Sequence, residues 1–359
     1  MANMQDCASD LPPEFQADAA LVAVRLLEAE LCSVDRVTAH CTGRSMVLST
    51  LNDLTPHIRA LAANAFSFHL EDFGSATMGW STLQSDVDIV VMLSTGSDDA
   101  CDALLLSTVA YFFGLAMRRR CRDSGHEVEV VDCIAHKQTI VLKLTVGLEA
   151  FQMDVKFHVQ PTHYQTTLSR YVASRLQRTI LIHGEESIAA MDACRAVLLV
   201  FQKFQFHLHC LRKTKPIHFV LLTLAYLQEN HSVVTAGSLT ELLPHAIRGI
   251  ASFVRARAVI CIDTSSTGME AKISTRPRGA AEFSDMLFAI VDASGPWSGR
   301  NMAYRTRVRD SSMFEIAVES LLEVAQYSGD PCFWYCHYQN EYYELYLKLW
   351  RHAHGCSLL

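Results

Sequence analysis

The stretch Phe73-Gly-Ser-Ala-Thr-Met-Gly-Trp-Ser-Thr-Leu-Gln-Ser-Asp-Val-Asp-Ile-Val-Val-Met92 decides the fold. It follows a β-prone run over residues 65–70. Gly74-Ser75 then forms a turn with no Cβ at the glycine, so backbone N–H groups there can approach an anion closely. Asp86 and Asp88 open the apolar run Ile89-Val-Val-Met-Leu93. On a strand, positions i and i+2 share a face, so both carboxylates project together from the start of a buried strand. Two hard oxygen donors on one face suit a pair of Mg²⁺ or Mn²⁺ ions handling a triphosphate.

Working outward, residues 19–31 are amphipathic at helical spacing and residues 45–63 read as a second helix, joined by a polar segment over 32–44. Ser97-Asp-Asp99 is an N-cap for a helix over 100–117 that ends in Arg118-Arg-Arg120 and Arg122, as a C-terminal dipole favours. Three β-prone runs follow at 127–134, 139–145 and 151–159, and Pro161 closes the series. This order predicts a small mixed-sheet α/β domain. Beyond it the pattern turns helical, with candidates at 165–177, 187–210, 218–229, 239–257, 311–326 and 341–352. The fold class expected is α+β, a mixed-sheet domain and a mainly helical C-terminal domain with a cleft between them.

The chain has 359 residues, half of them hydrophobic, which is enough for two domains with ordered cores. No apolar run approaches the ~20 residues of a bilayer span, so no membrane partner is expected. Twelve cysteines without paired spacing point to free thiols in a reducing, intracellular compartment. A net charge of −7 argues against coating nucleic acid by bulk charge, but not against gripping one strand end.

A third carboxylate for two metals comes from Phe151-Gln-Met-Asp154-Val-Lys-Phe157, where Asp154 is flanked by alternating apolar residues. Gly74-Ser75, three residues, Gly79, five residues, then Ser85-Asp86-Val87-Asp88, together with Asp154, resembles the signature of the DNA polymerase β-type nucleotidyltransferase superfamily. The spacing is similar to the branch of terminal uridylyltransferases and noncanonical poly(A) polymerases, and the chain is most like the small trypanosomatid RNA uridylyltransferases. The resemblance implies that Asp86 and Asp88 bridge two metal ions. It makes Asp154 the ligand nearer an RNA 3′-hydroxyl, and has Ser75 bind the triphosphate beside Gly74.

Further on, Gln165-Thr166-Thr-Leu-Ser-Arg170 resembles the family's sugar-contact helix and assigns Thr166 to the nucleotide. Lys203, among Leu, Val and Phe, resembles a triphosphate-binding lysine, with Lys215 as a candidate second one. Phe219 is the candidate for stacking on the base. Ile290-Val-Asp292 resembles the segment that contributes acidic groups to uracil recognition, which makes Asp292 a base-contact candidate. By resemblance, residues 1–63 are N-terminal helices packing on the C-terminal domain, 64–160 the catalytic domain, and 161–359 a helical nucleotide-base-recognition (poly(A) polymerase-associated) domain. A mitochondrial or cytoplasmic RNA-processing or RNA-editing role, within a larger complex, follows the same likeness.

Cys332, Cys336 and His337 with His352, His354 and Cys356 can be drawn as a zinc site, but their spacing fits helical core packing better. Arg305, Arg307 and Arg309, with Arg118–Arg120, Arg276 and Arg278, form a candidate RNA-phosphate surface. The function expected is template-independent addition of UMP from UTP to the 3′ end of a single-stranded RNA. The alternatives are a poly(A) polymerase using ATP, transfer of a nucleotidyl group to a small molecule or protein, and a catalytically silent NTP- or RNA-binding subunit.

Overall fold

A computed structural model describes residues 18–61, 66–78, 81, 85–95, 99–123, 128–134, 139–146, 149–158, 180–183, 186–205, 215–230, 238–262, 273–276, 286, 288–292 and 322. By internal contacts the chain divides into two units, Glu28–Ser174 and Met1–Leu27 with Arg175–Leu359.

The first unit is built on a five-stranded mixed sheet of β1 (Phe66–Phe73), β2 (Val87–Thr95), β3 (Val128–Ile134), β4 (Thr139–Val146) and β5 (Glu149–His158), in the order β1-β2-β5-β4-β3. β1 runs antiparallel to β2, and β2 runs parallel to β5. β4 and β5 are joined as a hairpin, which inserts β5 at the centre. Ile89, Val91 and Leu93 of β2 and Met153, Val155 and Phe157 of β5 all point to one face. Their alternation with polar residues at β5 is the period of a half-buried strand.

Two helices cover that face. In α1 (Ala19–Leu31) the periodic pattern is met as expected, but α2 (Val34–Leu61) is 28 residues long and starts well before residue 45. The segment read as a polar joint is helical, and its sequence shows no apolar period because its core-facing positions are small. Ala39 and Gly43 lead at four-residue spacing into Val47, Leu51 and Ile58, and alanine or glycine leaves almost no hydrophobic signal. α4 (Asp99–Asp123) lays Leu106, Val109, Phe113 and Met117 on the same face, with Phe113 edge-on to Phe157 at 5.1 Å. Burying each such side chain contributes about 1.5–3 kcal/mol. Arg118–Arg120 and Arg122 form the end of this helix, with Arg120 and Arg122 in its last turn, as the sequence pattern predicts.

Residues 1–63, expected to pack together on the C-terminal domain, divide between the two units by internal contacts. α2 belongs to the sheet unit, where Val47, Leu51 and Ile58 join the core beneath β2 and β5.

The second unit holds α5 (Ala190–Gln205), α6 (Pro216–Glu229) and α7 (Leu239–Arg255). Phe201 of α5 stacks on Phe219 of α6 at 3.9 Å. α6 and α7 meet so closely that a Cβ on Gly249 would lie 2.0 Å from the Tyr226 ring. The chain before α1 is tied into the same unit: Asp18 accepts hydrogen bonds from Leu239 N at 2.6 Å and Thr240 N at 3.1 Å, the first amides of α7, whose own N-cap is Ser238.

This unit carries more strand than its pattern suggests. Residues 187–189, read as the start of a helix, pair within β7 (Glu186–Ala189) with β6 (Ile180–His183). β8 (Val259–Ile262) sits between β9 (Ile273–Arg276) and β10 (Ala289–Asp292) in a second mixed sheet. These strands are four residues long, too short for alternation to distinguish them from loops. The expected helices over 165–177 and 341–352 lie outside the described residues, as does 311–326 apart from residue 322. So do Arg278, Arg305, Arg307, Arg309 and the cysteines and histidines from 332 to 356. Among the described residues no helix is long and apolar enough to cross a membrane, and Cys32, Cys41, Cys121, Cys194 and Cys261 are free thiols.

Candidate active site

Since Ile89 and Val91 of β2 face the helices, Asp88 between them and Val87 faces the other way. The same parity turns Asp154 and Lys156 of β5 to that side, because Met153, Val155 and Phe157 enter the helix-covered core. Parallel pairing sets Asp88 directly opposite Asp154, and antiparallel pairing sets Phe73, the last residue of β1, opposite Asp88. One rung of the sheet thus carries the glycine turn, the Asp-x-Asp strand and the third carboxylate side by side.

Asp86 lies just ahead of β2 and is exposed as a residue, yet its carboxyl sits among its neighbours. Loss of solvent, and then the negative charges of Asp154 and Asp88, push it up to about 6, while Lys156 pulls the other way. Gln152 donates a hydrogen bond to Asp154 Oδ1 at 3.2 Å. Arg36 of α2 donates to the Ser85 carbonyl at 3.1 Å, pinning the approach to Asp86.

Gly74 opens a one-turn helix, α3 (Gly74–Met78), where a turn was expected. Its φ of +75° is in the region that side chains disfavour, and a Cβ there would meet Asp88 Oδ2 at 2.3 Å. The glycine is therefore demanded twice, by the backbone and by the carboxylate packed against it. Ser75, in the same turn, accepts a hydrogen bond from the Ser81 hydroxyl at 3.3 Å.

Lys156 was not read as a site residue. Its Nζ donates to Asp88 Oδ1 at 3.1 Å and lies 4.5 Å from the centre of the Phe73 ring. The signal was present in the sequence, since Asp154-Val-Lys156 repeats the i, i+2 spacing of Asp86-Val-Asp88 and so places the ammonium on the carboxylate face.

The donor set suits a divalent cation: three hard carboxylates on one sheet end, with the pKa of Asp86 raised by burial and then by the charges of the other two. Among the described residues, however, no three His, Cys, Asp or Glu side chains already converge as a metal cage. Lys156 supplies the positive charge instead.

Of the candidates for nucleotide recognition, the side chains of Phe219 and Lys215 are among those described. Phe219 is 5 % exposed and packed on Phe201, so its ring is a core element of the helical unit rather than a free stacking face. Lys215 is exposed at the N-cap of α6, where its backbone N–H donates to His218 Nδ1 at 3.2 Å. Lys203 lies on α5 and Asp292 ends β10, with side chains outside those described; Thr166 lies outside the described residues altogether.

The chain matches no protein-family model and no curated protein sequence. Among solved structures it is similar to the polymerase core of TRAMP, an RNA surveillance complex, at a TM-score of 0.55 and 12 % identity over 94 % of each chain. It is also similar to mtPAP in complex with UTP, at a TM-score of 0.53 and 13 % identity, over 88 % of this chain and 69 % of that one. A cytoplasmic RNA terminal U-transferase aligns at 0.50 and 12 %, over 92 % and 97 %. The fold is the polymerase β-like nucleotidyltransferase fold.

Proposed function

We propose that this chain transfers nucleotides to the 3′-hydroxyl of a single-stranded RNA, with UTP as the donor. The observation that carries the reading is the single rung on which Phe73, Asp88 and Asp154 meet, with Gly74 next to it packed on Asp88 and the carboxyl of Asp86 within reach of both other charges. Three acidic oxygens beside a backbone turn open to anions suit a reaction in which a hydroxyl attacks a phosphate.

Asp86 and Asp88 would hold two Mg²⁺ or Mn²⁺ ions together, and Asp154 would complete the one nearer the RNA. Such ions lower the pKa of the attacking hydroxyl and neutralise the triphosphate. The chain's own groups do the rest. Gly74 lets the backbone approach the phosphates, Ser75 offers its hydroxyl to them, and Asp154 receives the proton of the 3′-hydroxyl. Lys203, Lys215 and Thr166 are proposed contacts to the triphosphate and sugar. Asp292 is the proposed contact to uracil, and carries the choice of UTP over ATP together with the likeness to small uridylyltransferases.

Labelled RNA incubated with each NTP and Mg²⁺ tests this. Extension with UTP, abolished by Asp86→Asn or Asp154→Asn in a folded protein, is the expected result. Extension with ATP alone would move the chain to the poly(A) polymerases. No extension with any nucleotide would leave a silent binding subunit, a reading that the Lys156–Asp88 pair favours.

A further inference from the structure

Lys156 is an unusual neighbour for a metal-binding carboxylate. Its ammonium lies 3.1 Å from Asp88 Oδ1, within the distance a bound cation would otherwise claim. The pair is sheltered, with the lysine side chain 29 % and the aspartate side chain 21 % exposed. The ring of Phe73 lies beneath the ammonium and adds a second attraction for positive charge. Register holds all three in place, since Phe73 pairs with Asp88 and Lys156 sits one alternation beyond Asp154 on the same face. The half-buried carboxylates therefore already have a tethered cation, carried by the same strand that supplies Asp154.

We propose that Lys156 is the resident counter-ion of the carboxylate cluster, and that a divalent cation is held at Asp88 only by displacing it. The proposal rests on the reading of Asp86, Asp88 and Asp154 as a divalent-cation site. Lysine suits such a role because its charge is a compact point on a flexible four-carbon stem, able to leave one partner and reach another. With Lys156 seated, one of the three carboxylate charges is offset; with it displaced, the carboxylates are exposed to a cation of twice the charge. Metal affinity is thereby set below what three carboxylates alone would give.

The test is titration of the full chain with Mn²⁺, free ion being read by electron paramagnetic resonance, so that no turnover enters the measurement. Lys156→Met is expected to tighten Mn²⁺ binding about tenfold over wild type, the effect of removing one competing charge at contact distance. That gain should vanish in the Lys156→Met, Asp88→Asn double variant. Lys143→Met is the control. Lys143 is exposed on β4 opposite Gln152, on the same sheet face but off the rung, and its loss should change affinity less than about twofold. Lys156→Gln replaces Lys156→Met if circular dichroism shows the latter misfolded.

Equal affinities for wild type and Lys156→Met, with Asp88→Asn weakening both, would overturn the proposal and leave the cation site standing. The same gain from Lys143→Met would overturn it too, by reducing the effect to net charge. If Asp88→Asn changes Mn²⁺ binding in neither background, the cation site itself falls and the proposal with it.

Discussion

At Gly74 the demands of backbone and site coincide. A methyl group there would need φ to leave +75° and Asp88 to move, since only 2.3 Å separates the Cβ position from Oδ2. Gly74→Ala is therefore expected to lower kcat/KM for nucleotide addition about a hundredfold, the scale of a roughly 1 Å misplacement of a reacting group. A left-handed alanine costs about 1–3 kcal/mol, so melting should fall by a few degrees without loss of the fold. An alanine variant with near wild-type activity would show that Asp88 need not sit where it does. At this scale the sequence was most informative for residues whose chemistry is their identity. Glycine and aspartate at fixed spacing announce a phosphate-and-metal site, whereas Lys156 carries no such signature until strand parity is known. Phe219 shows the opposite failure, since an aromatic on an apolar helix has the same letters whether it packs on Phe201 or on a ligand.

Between elements, the fastening of α2 to the edge strand β1 is polar. Arg44 of α2 forms an ion pair with Asp72 of β1, and His40 approaches the same carboxyl at 3.9 Å. Burial alone would raise the pKa of Asp72, but His40 and then Arg44 more than reverse this and hold it below the usual carboxylate range. A depressed folded pKa contributes stability that is present above the unfolded pKa and lost as pH falls through the folded one. Asp72→Asn should therefore melt below wild type at neutral pH, and the two curves should converge in acid. Because Asp72 is 39 % exposed the difference should be small, roughly 0.2–1 kcal/mol. A gap that persists at low pH would mean the pair contributes by packing rather than charge. Elements were legible where apolar side chains mark the period, as in β2, α6 and α7. They were not where Ala39 and Gly43 make the contact in α2, nor in the four-residue strands β6 to β10.

For the whole molecule, the two units draw on the chain out of order. The first 27 residues belong with residues 175–359, and Asp18 and Arg25 show how: Asp18 accepts hydrogen bonds from the first amides of α7, and Arg25 pairs with the buried Asp192 of α5 at 3.0 Å. Asp18→Ala is expected to cost about 1–2 kcal/mol, the loss of an acceptor for those amides. Hydrogen exchange should rise at the start of α7 and not in the sheet β1 to β5. Exchange rising in both would mean that the units melt as one. Sequence order alone cannot reveal such a return, because nothing local distinguishes a helix that packs forward from one that packs backward.

The alternation of β2 and β5 has a last consequence, for how such a chain can be inherited. Asp88, Asp154 and Lys156 occupy every second position, and Ile89, Met153 and Val155 the ones between. Losing or gaining one residue within either strand would therefore exchange the two sets, burying charge and exposing the core in one event. Descent can vary the letters at these positions one at a time, but it can vary the chain's length only in the segments that join the elements. The carboxylate rung and the hydrophobic core are in this sense a single heritable character, kept or lost together.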